Sequence, residues 1–233
     1  MTIRPIKALS DNYIWLIEKE SRVIVVDPGE ADGVLQDLKD NALTLEAIIL
    51  THNHHDHTGG VKKIVSEFPG TPVYGPKETE DVANHLVEDG DTFDLLGEQF
   101  EVLLTAGHTH GHISYLMGEA LFCGDALFSG GCGRVFTGDY QAQFDALQKY
   151  KALDDKVLVY AAHEYTQTNL RFANEIEPSN AILEEALKEA DERLIENQPT
   201  LPSNIGKEKE INLFLRAETL EDFIGFRQAR DDF

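Results

Sequence analysis

Apolar runs punctuated by turn residues fill the first two thirds of the chain. Residues 13–17 and 22–27 are such runs, and Val23-Ile24-Val25-Val26 stops at Asp27-Pro28-Gly29, a turn signature at a strand end. Runs at 47–50 and 73–74 predict further strands, as do 93–96 and 99–104 around Gly97. Residues 113–117 and 120–123 predict a strand pair turning at Gly118, and 157–160 one more strand. Helical spacing is sparse here: 33–38 predicts a short helix, and Val61, Ile64, Val65 and Phe68 predict another, stopped by Pro69-Gly70. After His163 the texture changes. Residues 165–175 read as a helix and Pro178-Ser179 interrupts it. Ile182, Leu183, Ala186, Leu187, Ala190, Leu194 and Ile195 then follow a helical stripe with a glutamate-rich opposite face. A loop at 198–203 and a last helix at 220–230 complete the chain. The pattern predicts a strand-rich half, residues 1–165, with a helical segment, residues 166–233, packed against it.

Four of these strands end in metal-ligand chemistry. The run 47–50 delivers Thr51-His52-Asn53-His54-His55-Asp56-His57, with four histidines and an aspartate in six positions. The run 99–104 leads to His108-Thr109-His110-Gly111-His112, 120–123 delivers Gly124-Asp125, and 157–160 delivers Ala161-Ala162-His163. Imidazole and carboxylate are ligands of divalent metals, and crowding them into a turn removes solvation that a cation readily restores. A solvated His-rich tract or a tag belongs at a terminus, not between a strand and a helix. His52 and His54 can reach one metal from one side, while the adjacent Asp56 and His57 point elsewhere and can serve a second. A lone Asp after Gly is usually a turn residue and a lone His after an apolar run a satisfied imidazole. It is their combination with the first cluster that makes two coordination spheres. Asp27 is either a support for a ligand imidazole or a plain turn aspartate.

Thr51-His52-x-His54-x-Asp56-His57 resembles the signature of the metallo-β-lactamase superfamily. The resemblance implies an α+β fold, a four-layer αββα sandwich, with a catalytic domain at 1–165 and a C-terminal helical substrate-binding domain at 166–233. It implies His52, His54, His108 and Asp125 around a first metal, and Asp56, His57, His163 and the shared Asp125 around a second. His110 and His112 then take supporting or structural roles, and His55 and His85 are exposed. His and Asp suit zinc, iron and manganese alike, with zinc the default.

The branch is indicated by Gly131-Cys132-Gly133-Arg134-Val135-Phe136, His163-Glu164-Tyr165-Thr166, Pro199-Thr200-Leu201-Pro202-Ser203 and Arg227-Gln228-Ala229-Arg230-Asp231-Asp232-Phe233. These resemble the glyoxalase II (hydroxyacylglutathione hydrolase) family from the first strand to the last residue. That resemblance implies a thioesterase converting S-(2-hydroxyacyl)glutathione, such as S-lactoylglutathione, to a 2-hydroxy acid and glutathione, the second step of methylglyoxal detoxification. Catalysis is expected from His52, His54, Asp56, His57 and Asp125 through a metal-held hydroxide. Arg134, Phe136, Tyr165, Arg227 and Arg230 are expected against the substrate. Arg227 and Arg230, three apart on a helix, share a face and suit a carboxylate. Phe136 stands where other members carry tyrosine, and Arg134 and Arg230 where some carry lysine. These departures leave open an alternative, a hydrolase of the same fold acting on lactones or non-glutathione thioesters.

Composition narrows the partners. Acidic residues outnumber basic ones by 42 to 20, a formal charge of −22 that repels polyanions, so nucleic acid is excluded as a first guess. Met1-Thr2-Ile3-Arg4-Pro5 lacks a signal peptide's apolar core, and no run of about eighteen apolar residues occurs. The expectation is a cytoplasmic monomer with no membrane partner. Cys123 and Cys132 are too few for a disulfide framework. No dinucleotide loop, Walker lysine or nucleophile elbow is present, and no flavin segment supports an electron-transfer role.

Overall fold

A computed structural model describes residues 1–233. Strands β1 (Thr2–Ala8), β2 (Asn12–Lys19), β3 (Arg22–Val26), β4 (Thr44–Ile49), β5 (Val73–Gly75) and β6 (His85–Leu86) lie side by side in chain order in one sheet. Strands β7 (Thr92–Leu95), β8 (Glu98–Leu104), β9 (Ile113–Met117), β10 (Ala120–Gly124), β11 (Leu158–Ala161) and β12 (Ser203–Asn204) form the second. Each sheet mixes antiparallel hairpins with parallel crossovers, β3 to β4 through α1 (Asp32–Asp40) and β10 to β11 through α4 (Tyr140–Lys151). Between them in sequence, α2 (His55–Thr58) and α3 (Val61–Glu67) follow β4.

The apolar runs of β2, β3 and β4 are continuous because both faces of the first sheet are covered. Tyr13, Trp15, Ile17, Ile24, Val26, Ala47 and Ile49 face the second sheet. Ile14, Leu16, Val23, Val25, Ile48 and Leu50 alternate with them and pack on Val34 and Leu38 of α1 and Val61 and Ile64 of α3. On the far side, Leu147 and Tyr150 of α4 close the second sheet. The result is the expected αββα sandwich.

The helical segment comprises α5 (Thr166–Ile176), α6 (Ala181–Ile195), α7 (Ile205–Ile211), α8 (Leu213–Arg216) and α9 (Leu220–Asp232). The side chains of Asn180, Asn204, Asn212 and Thr219 accept from the first-turn amides of α6, α7, α8 and α9. Leu170, Phe172, Leu183, Phe214 and Phe223 belong to the same buried cluster as the space between the sheets, and β12 pairs with β11. The segment therefore shares the sandwich's core. No helix is long and apolar enough to cross a membrane.

The run pattern did not show β1, β6, β12, α2, α4, α7 or α8. β1 holds Pro5 and is only partly buried from Ile3 to Ile6, with Lys7 exposed, which suits the sheet edge where it lies. α4 carried a readable signal: Asp139 accepts from Ala142 N at its start, and Ala146, Leu147 and Tyr150 are its buried side.

Candidate metal centre and substrate cleft

The loops after β4, β8, β10 and β11 converge. Ligand atoms of His52, His54, His108 and Asp125 lie within 4.8 Å of one another, as do those of Asp56, His57 and His163. Asp125 faces both groups: Oδ1 is 3.3 Å from His57 Nε2 and 3.3 Å from His163 Nε2, while Oδ2 is 3.3 Å from His108 Nε2. His52 Nε2, His57 Nε2 and Asp125 Oδ1 are buried with no hydrogen-bond partner. Buried polar atoms are rarely left so. Three such atoms within the two ligand groups, all of ligand type, fit divalent cations, and the family fold and donor set together indicate a divalent metal site.

A third grouping, Asp27 with His52 and His57, also lies within reach of one ion. Asp27 is already spent: its carboxylate accepts from Thr51 N at 2.8 Å, Thr51 Oγ1 at 2.7 Å and His57 Nδ1 at 3.0 Å. It orients the His57 imidazole and, at φ +49°, also makes the turn, so both readings of this aspartate hold.

Electrostatics divide the histidines. Burial pushes His52 and His54 below the usual imidazole range. Burial opposes charge at His57 and His163 too, but the Asp125 and Asp56 carboxylates, joined by Asp27 at His57, outweigh it, raising His57 well above its ordinary value and His163 to about 10. Asp125 is buried, yet His57 and His163 hold it ionised well below the carboxylate range, and the nearby His163 and His57 imidazoles do the same for Asp56.

Close backbone approach explains two glycines. A Cβ on Gly133 would sit 2.1 Å from Asp125 O and 2.7 Å from His108 Nδ1, and one on Gly29 would sit 1.9 Å from Asp56 O. His112 is fully buried: its Nε2 accepts from Asp125 N at 3.2 Å, and its Nδ1 lies 2.9 Å from Thr105 Oγ1. His55, His85 and His110 are exposed.

Beside the metal ligands lies a cleft of about 420 Å³ walled by Phe128, Arg134, Phe136 and Tyr165. It adjoins a smaller one of about 230 Å³, reached by Asn169, Arg227, Arg230 and Asp231. Phe136 is 62% exposed and meets the rings of His54 and His108 edge-on, and Tyr165 stacks on His163 at 4.7 Å. Arg134 Nε pairs with Asp231 at 3.1 Å. The polar contacts of Arg230 are 3.4 Å ones to Asn169 Oδ1, and its guanidinium lies over the Phe233 ring at 5.7 Å. Arg227, expected against the substrate, lines the smaller cleft. It is buried and stacked over Phe214, and donates to Cys132 O at 2.7 Å and to Asp231 at 3.0 Å. It braces the Gly-Cys-Gly turn.

Known proteins resemble this chain over its whole length. Residues 9–163 match the Metallo-beta-lactamase superfamily, and residues 164–232 match the Hydroxyacylglutathione hydrolase C-terminus. The chain is 55% identical over 234 residues to the hydroxyacylglutathione hydrolase of Glaesserella parasuis serovar 5, covering all of both chains. The chain belongs to the hydroxyacylglutathione hydrolase family. The family protein of Actinobacillus pleuropneumoniae serotype 5b is 51% identical, again over the full length of both. Among solved structures, ETHE1 from Myxococcus xanthus superposes with a TM-score of 0.75 at 28% identity, over 98% of this chain and 90% of that one.

Sequence reasoning missed Asp11 and Asn12. Asp11 Oδ1 lies 2.6 Å from His163 Nδ1, and Asn12 Nδ2 donates to Asp56 Oδ2 at 3.1 Å. In the sequence they are polar residues ahead of an apolar run, indistinguishable from an ordinary turn. It missed Glu78 for a similar reason. Its carboxylate accepts from Thr109 Oγ1 and, at 2.7 Å, from Gly111 N, fastening the loop that carries His108.

Proposed function

We propose that the protein hydrolyses S-(2-hydroxyacyl)glutathione thioesters, typified by S-lactoylglutathione, to a 2-hydroxy acid and glutathione, using two divalent ions, zinc by default. Full-length membership in the family supports the reaction class, and the C-terminal match disfavours the lactone alternative that Phe136 left open. The observation that carries the two-metal reading is Asp125, with one oxygen turned to each ligand group. His52, His54 and His108 would hold the first ion, Asp56, His57 and His163 the second, and Asp125 both. When bound, such ions polarise the thioester carbonyl and bring the pKa of a water toward roughly 7.

The chain's own residues do the rest. Asp125 fixes the spacing of the two positions. Asp27 and Asp11 hold the rings of His57 and His163 with Nε2 aimed inward. Arg134 and Arg230 offer guanidinium donors to the glutathione carboxylates, and Phe136 and Tyr165 wall the acyl and cysteinyl parts. In the reaction a C–O bond forms at the carbonyl carbon and the C–S bond breaks. The departing thiolate, conjugate base of a thiol of pKa about 8.5, takes up its proton without a strong general acid. In this reading residues 1–165 carry the metals, residues 166–233 bind the peptide part of the substrate, and the chain acts as a monomer.

The test is the rate of S-lactoylglutathione hydrolysis before chelation, after it, and after zinc or iron is restored, with metal counted in each sample. Turnover that disappears and returns with about two ions per chain is expected. Two ions without turnover would move the substrate elsewhere, and turnover indifferent to chelation would remove the metals from the reaction.

A further inference from the structure

The ligand groups differ in what stands behind them. In the first, His52 Nδ1 meets a hydroxyl, Thr51 Oγ1, at 3.0 Å, and His108 Nδ1 meets a backbone carbonyl, Arg134 O, at 2.8 Å. In the second, both imidazoles are backed by carboxylates, His57 by Asp27 at 3.0 Å and His163 by Asp11 at 2.6 Å. Asp27 also reaches the first group, because Thr51 Oγ1, beside His52, donates to it at 2.7 Å. Asp11 has no such double duty.

Asp11 closes the turn between β1 and β2 and Asn12 opens β2, and the turn is fastened to the strand that delivers His163. Glu164 N donates to Asp11 O at 2.9 Å and Tyr13 N to Ala162 O at 2.7 Å. Asn12 is buried. Its Nδ2 lies 3.1 Å from Asp56 Oδ2 and 3.4 Å from both Asp56 O and His163 Nε2. Two consecutive side chains therefore reach two different members of one ligand group and none of the other.

We infer that Asp11 and Asn12 are positioning residues dedicated to the second metal, so that the two metal positions are supported unequally and can be emptied separately. The inference rests on the two-metal reading above. A carboxylate accepting from Nδ1–H fixes the ring's tautomer and orientation and raises the ligand basicity of Nε2, and loss of such a partner typically weakens metal binding about 10- to 100-fold. At Asp11 the weakening falls on the second ion alone.

The experiment is zinc titration of the metal-stripped full chain against a chromophoric chelator, with bound zinc counted, for wild type, Asp11→Ala and Asp11→Asn. Wild type binds two ions. Asp11→Ala binds the first with unchanged affinity and the second about 10- to 100-fold more weakly, so at intermediate chelator it holds one ion where wild type holds two. Asp11→Asn keeps an acceptor for Nδ1–H, and its second affinity falls between. It is isosteric and carries the test should the alanine variant fold poorly. Two ions held by both variants as tightly as by wild type, or an equal loss of both ions, overturns the inference while leaving the two-metal reading intact. A wild-type chain that binds fewer than two ions overturns that reading, and the inference with it.

Discussion

Asp125 is required to face two ways at once, and asparagine at that position keeps the shape while removing the charge that both ligand groups meet. Asp125→Asn is expected to lose metal from both positions and to lower kcat by a factor on the order of 100 to 1,000, the scale of removing one preorganised charge-stabilising group. A variant with full metal content and full rate would end the bridging assignment. Arg230 sits in the adjoining cleft with only long polar contacts of its own. Arg230→Ala is therefore expected to raise KM roughly tenfold or more, with kcat nearly unchanged, as for loss of a charged hydrogen bond made equally in ground and transition states. A fall in kcat at constant KM would place it in the chemistry instead. The histidine cluster was legible because such residues are costly to crowd together without a purpose. Asp11 and Asn12 were not, because one turn aspartate looks like another until the partner some 150 positions away is known.

At the scale of elements, the segment between β10 and α4 carries Asp125, Phe128, Arg134 and Phe136, and it is pinned by helices far along the chain. Glu208 of α7 is fully buried and accepts from Ser129 Oγ at 2.9 Å, Gly130 N at 2.8 Å and Asn212 Nδ2 at 3.1 Å. Asn212 in turn donates to Phe128 O at 3.1 Å and Gly131 O at 2.9 Å. The caps of α7 and α8 are local signals that a sequence displays, but the burial of Glu208 depends on what the fold brings over it. Glu208→Ala leaves several buried donors without an acceptor and is expected to cost about 3 kcal/mol. Glu208→Gln, which keeps an acceptor, is expected to cost less. Burial pushes the Glu208 carboxyl above its ordinary value, against its hydrogen bonds. The folded state therefore holds this proton more tightly than the unfolded chain does. The resulting stabilisation is complete below the unfolded pKa, about 4.3, and is lost as pH rises through the folded value. Denaturation midpoints of wild type relative to Glu208→Gln should accordingly fall as pH rises from 4 to 7. Parallel curves would show that Glu208 does not titrate in this way.

For the whole molecule, the ligand residues tie together loops from both sheets, so metal loading and global stability are coupled. Leu170, Phe172 and Phe223 of the helical segment lie in the core cluster that also holds Trp15 and Tyr115 from the two sheets. Such a chain should unfold in one cooperative transition whose midpoint reports the metal. Without bound metal, the neighbouring carboxylates raise His163 to about 10 and raise His57 as well, so a cation entering this ligand group competes with protons there. For His163 the folded pKa lies above the unfolded value of about 6.5. Its proton therefore stabilises the metal-free fold fully below about pH 6.5, and that contribution is lost as pH rises toward 10. Rising pH also removes the competing protons and tightens the metal, whose stabilisation grows as RT ln(1 + [L]/Kd). Both statements describe the same proton, whose loss leaves the metal-bound form progressively favoured. The gap in Tm between zinc-loaded and chelated protein should widen from pH 6 to pH 8, and zinc uptake near pH 7 should release protons, measurable as calorimetric heats that vary with the buffer's ionisation enthalpy. His52 and His54, pushed below the usual range, add little to that release. A Tm gap independent of pH, with no proton release, would mean that the second ligand group is already neutral in the metal-free fold and that its carboxylates are balanced in some other way.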